Sequence, residues 1–256
     1  MRLASKVALI TSSQRGRCAK TARQLAAAGA SVMICGRNAA QGQATVAEIQ
    51  QAGGRASFIL ADIALMSDVQ AAIDETIATY GRLDILFNNA SSSHESDRTL
   101  LSVTENTWAR IVEATLTGTF FCCQYALPFL QNAGQGSIIN LVERDGPAAD
   151  YTVSGICQGG LVALTQSISA HFSAQGVVAN LIVAAPDVLS TPILSTENVL
   201  YGPVPLPHSG TDLVKGNDEE ANTAFAAVGD AILYLATCDN QLQGYTLLVS
   251  SNPHRE

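Results

Sequence analysis

Charge is scarce in this chain. Only 14% of its 256 residues are Asp, Glu, Lys or Arg, and the balance is acidic, −8. Hydrophobic residues reach 47%, so much of the chain must be interior or subunit contact. There is no basic cluster, which argues against nucleic acid as a partner. No apolar run approaches the roughly 20 residues of a membrane span. The start, MRLASKVALIT, runs straight into a strand and lacks the pattern of a signal peptide. A soluble cytoplasmic protein is the expectation, with no membrane contact. The cysteines Cys18, Cys35, Cys122, Cys123, Cys157 and Cys238 include no Cys-x-x-Cys pair. Each sits in an apolar helix or strand pattern, which predicts buried free thiols in a reducing compartment. The histidines are scattered, so no metal site is expected.

What is present is a regular alternation. Short apolar, β-branched runs predict strands at Lys6–Thr11, Ser31–Gly36, Ala56–Leu60, Asp84–Asn88, Gly136–Val142, Val178–Val183 and Tyr245–Val249. Between them, helical spacing predicts helices at about 16–28, 39–52, 67–80, 103–130, from 154 onward, and 217–236. Gly29 and Gly53-Gly54 are stop signals. Strands alternating with helices imply one α/β domain over residues 1–256. Its expected core is a doubly wound, Rossmann-like parallel sheet of seven strands with helices on both faces. The stretch Pro186 to Gly216 carries Pro192, Pro203, Pro205 and Pro207 and reads as irregular, a lid or partner-contact segment.

The chain is organised around residues 136–167, GSIINLVERDGPAADYTVSGICQGGLVALTQS. A buried strand leads through a loop into an amphipathic helix. This stretch resembles the short-chain dehydrogenase/reductase superfamily. There a strand like GSIVNISS precedes a helix opening Tyr-x-x-x-Lys and running on like AAVxxLT. The run Gly159 to Thr165 fits the last part without gaps. The resemblance then puts the family tyrosine on Ser154 and the lysine on Gln158. It puts the serine near Glu143, and the asparagine of the preceding long helix on Thr115.

The resemblance implies hydride transfer between a nicotinamide and a carbonyl or alcohol carbon. A tyrosine acts as acid or base, and a lysine one turn away lowers its pKa from about 10 and holds the ribose. Ser154 cannot replace a phenol, Gln158 carries no charge, and Glu143 is an anion where a neutral donor should be. The candidate substitute acid is Tyr151, three residues before Ser154 on a shared helix face, with Glu143 or Asp145; a surface or partner-packing tyrosine is the other reading. Gly155 stands four residues after Tyr151, so no lysine follows it.

The cofactor positions are mixed. A glycine-rich turn after the first strand should cradle a pyrophosphate at a helix N-terminus. The family's Thr-Gly-x-x-x-Gly-x-Gly is here Thr11-Ser12-Ser13-Gln14-Arg15-Gly16-Arg17-Cys18, with only Gly16 kept. Arg37 falls where a cation meets an adenosine 2′-phosphate, though a solvated arginine explains it equally well. Asp62-Ile63 resembles the adenine-contacting Asp-Val. Asn88-Asn89-Ala90-Ser91 resembles Asn-Asn-Ala-Gly, an element that also stabilises the central sheet. Pro186 to Pro192, with Thr191, resembles the nicotinamide loop. No NAD(P) binding, or weak binding, is expected.

Three functions compete at this level. The leading one is the non-catalytic structural subunit of a hetero-oligomer with an active relative, in an NAD(P)-dependent dehydrogenase of hydroxyacyl thioesters. The contact would run through the two long helices, and a homodimer or tetramer through the same surfaces stays open. The second is an active NAD(P)-dependent alcohol or ketone oxidoreductase with unusual residues. The third is a non-redox lyase or cyclase reusing the old pocket.

Overall fold

The computed structural model describes residues 2–11, 17–90, 99–143, 152–185, 199–201, 224–237 and 246–250. Its sheet has the order β3-β2-β1-β4-β5-β6-β8-β7. The strands are β1 (Val7–Thr11), β2 (Ser31–Gly36), β3 (Arg55–Leu60), β4 (Ile85–Ala90), β5 (Gly136–Glu143), β6 (Val177–Ala185), β7 (Val199–Tyr201) and β8 (Thr246–Ser250). Every pairing is parallel. Seven of the strands are the expected ones. The eighth, β7, corrects the reading of 186–216 as irregular throughout. Its three residues pair with Thr246–Leu248 at the sheet's edge. A run that short among prolines and polar residues leaves no alternation to detect.

The helices are α1 (Arg17–Ala27), α2 (Ala39–Gln51), α3 (Met66–Tyr80), α4 (Glu105–Val112), α5 (Gly118–Asn132), α6 (Thr152–Phe172) and α7 (Ala224–Thr237). Residues 217–223, read as the start of the last helix, lie outside the described residues. Two apolar layers sandwich the sheet. On one face Ile10, Ile34, Phe87, Ile139 and Ile182 meet residues of α1, α2 and α7, among them Leu25, Ile49 and Ile232. On the other, Leu9, Met33, Leu86 and Ile138 meet Ile73, Ala126 and Ile168 of α3, α5 and α6. Alternate strand residues serve opposite faces, which is why these strands read as continuous apolar runs.

The long helix expected over 103–130 is interrupted. Between α4 and α5 the backbone widens into a π-helical turn at Glu113–Thr117, a feature frequent at functional sites. Immediately after it, Gly118 brings α5 against the loop following β3. A Cβ there would lie 2.7 Å from the Ile63 carbonyl oxygen. Gly118→Ala is therefore expected to cost about 1–3 kcal/mol, as overpacking does. At Gly155 on α6 a Cβ meets nothing within 4 Å. Gly155→Ala should stabilise by up to about 1 kcal/mol through helix propensity. Urea unfolding midpoints of the two variants, displaced in opposite directions, check both.

A buried ion cluster closes the opposite end of the strands. Asp84, just before β4, accepts from Arg82 Nε at 2.8 Å and Nη2 at 2.6 Å, and from Lys6 Nζ at 3.2 Å. Its Oδ2 also takes the Val7 backbone N–H at 2.9 Å, and its carbonyl accepts from Ser137 N at 2.8 Å. One residue thus binds β1, β4 and β5 together.

Candidate functional site

The sheet order reverses between β1 and β4, and Arg37, Asp62, Asn88 and Glu143 stand at or near the carboxyl ends of β2, β3, β4 and β5 on either side. In open parallel sheets that crevice is where ligands bind. At the β2/β3 end, Arg37 Nη1 lies 3.4 Å from Asp62 Oδ2. Asp62 is itself fixed: its Oδ1 accepts from Ala64 N at 3.1 Å, and its backbone N–H donates to Asp68 Oδ2 at 3.0 Å. Arg37 thus stands beside Asp62 with its side chain 53% exposed, a surface pairing worth little in stability.

Asn88 and Asn89 are buried in the middle of the row. Asn88 Nδ2 donates to Asn140 Oδ1 at 3.0 Å and reaches Cys123 Sγ at 3.4 Å. Asn140 Nδ2 donates to Thr165 Oγ1 at 3.0 Å. Asn140, Thr165 and Cys123 belong to the site's floor, and sequence reasoning missed them. The available signal was an asparagine inside the apolar run GSIINLV, a residue disfavoured in strands.

At the β5 end, α6 docks on α4 and the π turn. Val153 and Cys157 form one buried cluster with Ile111, and Leu116 packs against it. Gly160 allows the closest approach, since a Cβ there would lie 2.9 Å from Leu116 Cδ1. This contact brings the buried Thr115 alongside the α6 segment that carries Ser154 and Gln158. Gln158 is 8% exposed and Ser154 is half-buried. The Thr115 carbonyl accepts from Thr119 Oγ1 at 2.6 Å. Glu143 is the last residue of β5, opposite Ala184. Tyr151, Ser12, Gly16 and Thr191 lie outside the described residues.

Residues 6–199 match the short chain dehydrogenase family. The short-chain reductase protein NovJ of Streptomyces niveus is 34% identical over 190 residues, 73% of this chain and 71% of NovJ. Subunit BbsD of the (2S)-[(R)-hydroxy(phenyl)methyl]succinyl-CoA dehydrogenase of Thauera aromatica is 31% identical over 194 residues, 75% of this chain and 77% of that one. The chain belongs to the short chain dehydrogenase family. A metagenomic short-chain oxidoreductase crystallised with NADP superposes with a TM-score of 0.76 at 22% identity, covering 98% of this chain and 99% of that one. That likeness shows the shared fold.

A dinucleotide of the kind the family uses fits one end of this crevice better than the other. Arg37 and Asp62 offer a cation and an acceptor at the adenosine end. At the other end Ser154 and Gln158, on which the sequence resemblance sets the family's tyrosine and lysine, offer a hydroxyl and a neutral amide. α6 holds no Lys or Arg at all. Among the described residues no group of His, Cys, Asp or Glu could hold a metal ion. No helix among them is long and apolar enough to cross a membrane.

Cys35, Cys122, Cys123 and Cys157 form no disulfide and are buried. Burial drives the Cys123 thiol from the ordinary value of 9.0 up to about 12, against a smaller opposing effect of the Asn88 hydrogen bond. Between those two values the folded chain holds a proton that the unfolded chain releases. The stabilisation is complete below pH 9 and is lost as pH rises toward 12. Cys123→Ala is expected to flatten that alkaline decline. Unfolding free energies at several pH values between 8 and 11 check it, roughly the span over which an ordinary thiol titrates.

Proposed function

We propose that this chain is the non-catalytic structural subunit of a two-chain, NAD(P)-dependent dehydrogenase of hydroxyacyl thioesters, built with an active relative. The observation that carries this reading is Gln158, a buried neutral amide on α6 where the sequence resemblance calls for the family's lysine. Without an ammonium one turn away, no phenol in that pocket has its pKa lowered, and Ser154 offers no phenol. The relative BbsD, named as a subunit of a (2S)-[(R)-hydroxy(phenyl)methyl]succinyl-CoA dehydrogenase, supports the assembly and the substrate class. Dinucleotide binding by this chain alone is absent or weak, because the ribose-holding cation is gone.

The partner surface follows from the missing charges. Neither α5 nor α6 contains an Asp, Glu, Lys or Arg, yet each has an outward face. Phe120 of α5 and Ile156 of α6 are 43% and 48% exposed there, and Trp108 of α4, which packs on α6, is 43% exposed. A helix face turned to water ordinarily carries charge, and uncovered aromatic and aliphatic side chains of this size mark interaction sites. The occupant proposed is the equivalent helix pair of the active relative, as in obligate interfaces. Co-expression with candidate relatives followed by size-exclusion chromatography tests this. Co-elution that Phe120→Asp abolishes is the expected result. A chain that forms only homo-oligomers, beside relatives fully active without it, rules the reading out.

One observation favours an active oxidoreductase instead. Arg37 is retained beside Asp62 at the adenosine end, and NovJ carries the name of a reductase. Titration calorimetry with NADH and NADPH separates the two readings. Micromolar or tighter binding favours the active enzyme.

A further inference from the structure

We infer that Asn140 and Thr165 are positioning residues that fix how α6 sits on the sheet, and with it the placement of Ser154 and Gln158. The inference stands whether or not this chain is catalytic. Thr11, Asn88 and Asn140 occupy matched register positions on β1, β4 and β5. They form one row on the sheet face covered by α5 and α6, one layer beyond the apolar row Leu9, Leu86 and Ile138. All three, with Thr165, are at most 1% exposed.

Their hydrogen bonds run in one direction. Thr165 Oγ1 donates to the Leu161 carbonyl at 2.7 Å, so it accepts from Asn140 Nδ2 at 3.0 Å. Asn140 Oδ1 then faces Asn88 Nδ2, 3.0 Å away. That orientation turns Asn88 Oδ1 toward Thr11 Oγ1, at 3.4 Å, whose proton is shared with the Phe87 carbonyl at 3.5 Å. Thr11 Oγ1 accepts in turn from the Asn89 backbone N–H at 3.2 Å. The bond from the Thr165 hydroxyl to the Leu161 carbonyl thus sets the sense of the whole row.

A second pin stands one turn further along α6. Ser169 Oγ donates to the Ala179 carbonyl at 2.8 Å and accepts the Ala179 N–H at 3.2 Å. Thr165 is thus tied to β5 and Ser169 to β6. Two attachments at i and i+4 fix both rotation and sliding of the helix. These directional bonds add to the apolar packing of Leu161, Val162 and Ile168, all buried on α6. At about 100° per residue, Gln158 and Ser154 lie within roughly 20° of the Thr165 direction, about two and three turns away. Any rotation released at the pin carries both of them with it.

Thr165→Val keeps the shape and removes the hydroxyl, and Thr165→Ser keeps the hydroxyl. Thr76→Val is the matched control: Thr76 is equally buried and donates to its own i−4 carbonyl, Ala72 O, at 2.7 Å, as Thr165 does. Amide hydrogen exchange is read by mass spectrometry on the full chain. Thr165→Val is expected to speed exchange over 153–160 at least tenfold (order of magnitude) beyond any change over α3, as local opening does. Thr165→Ser should restore protection, and Thr76→Val should leave 153–160 unchanged. Ser169→Ala, which releases the other pin, carries the same comparison if Thr165→Val does not accumulate as folded protein. Exchange over 153–160 that rises no more than in Thr76→Val, or that Thr165→Ser fails to restore, overturns the inference.

Discussion

Asp84→Asn is expected to lower stability by about 3 kcal/mol, the low end of the cost of breaking a buried ion pair. The Asp84 side chain is fully buried, while Arg82 and Lys6 are 44% and 27% exposed. Water can therefore solvate the abandoned cations in part, which keeps the loss from rising further. The asparagine cannot accept from all four donors. Its amide would set an N–H against either the guanidinium, the ammonium or the Val7 N–H. Because the carboxylate binds β1 and β4 while its carbonyl binds β5, the loss falls on the sheet's centre. Lys6→Met and Arg82→Met should each cost less, since Asp84 keeps the other cation. Chemical denaturation of the three variants checks the order. Equal midpoints for Asp84→Asn and the parent chain contradict it.

Turnover by the chain alone is expected to fall at least about 10⁴-fold below that of a competent relative. A positioned acid or base contributes about 10²–10⁴ in rate, and on the proposed reading both the phenol and the cation that tunes it are missing. Gln158 is buried on α6, and its amide can donate a hydrogen bond but never a proton at any pH the fold survives. Ser154 has a hydroxyl whose acidity is far below that of a phenol at any pH the fold survives. Ser154→Ala and Gln158→Ala should accordingly leave the residual rate unchanged within about twofold. Larger losses in either variant would give these residues a catalytic role.

Most of the sheet was legible because buried parallel strands are bounded, β-branched apolar runs, and DILFNNA and GSIINLV are both of that kind. The limits arise where the physics leaves little compositional trace. The π turn at Glu113–Thr117 adds one residue's width within an otherwise helical pattern, and the apolar spacing on either side still reads as a single helix. β7 is too short for periodicity. The polar row went unread because Asn140 and Thr165 look like isolated interruptions of apolar stretches; only the register that sets Asn88 opposite Asn140 makes them a unit. At the site, sequence reasoning placed Thr115, Ser154 and Gln158 in one region, and the docking of α6 on the π turn brings their segments together. It left Arg37 open between cofactor contact and solvated side chain, a question that only the Asp62 carboxylate 3.4 Å away addresses.

The most direct test is the hydride-transfer rate of the chain purified alone, measured at substrate concentrations that saturate its relatives. NADH and NADPH oxidation would be followed with acetoacetyl-CoA and with cyclohexanone as acceptors. The expected result is a rate indistinguishable from buffer with either cofactor, together with turnover that appears only when an active relative is present and vanishes when that relative's tyrosine is replaced by phenylalanine. Steady turnover by the chain alone, lost on changing Tyr151 to phenylalanine or Gln158 to alanine, would contradict the account and make this an enzyme with a different acid.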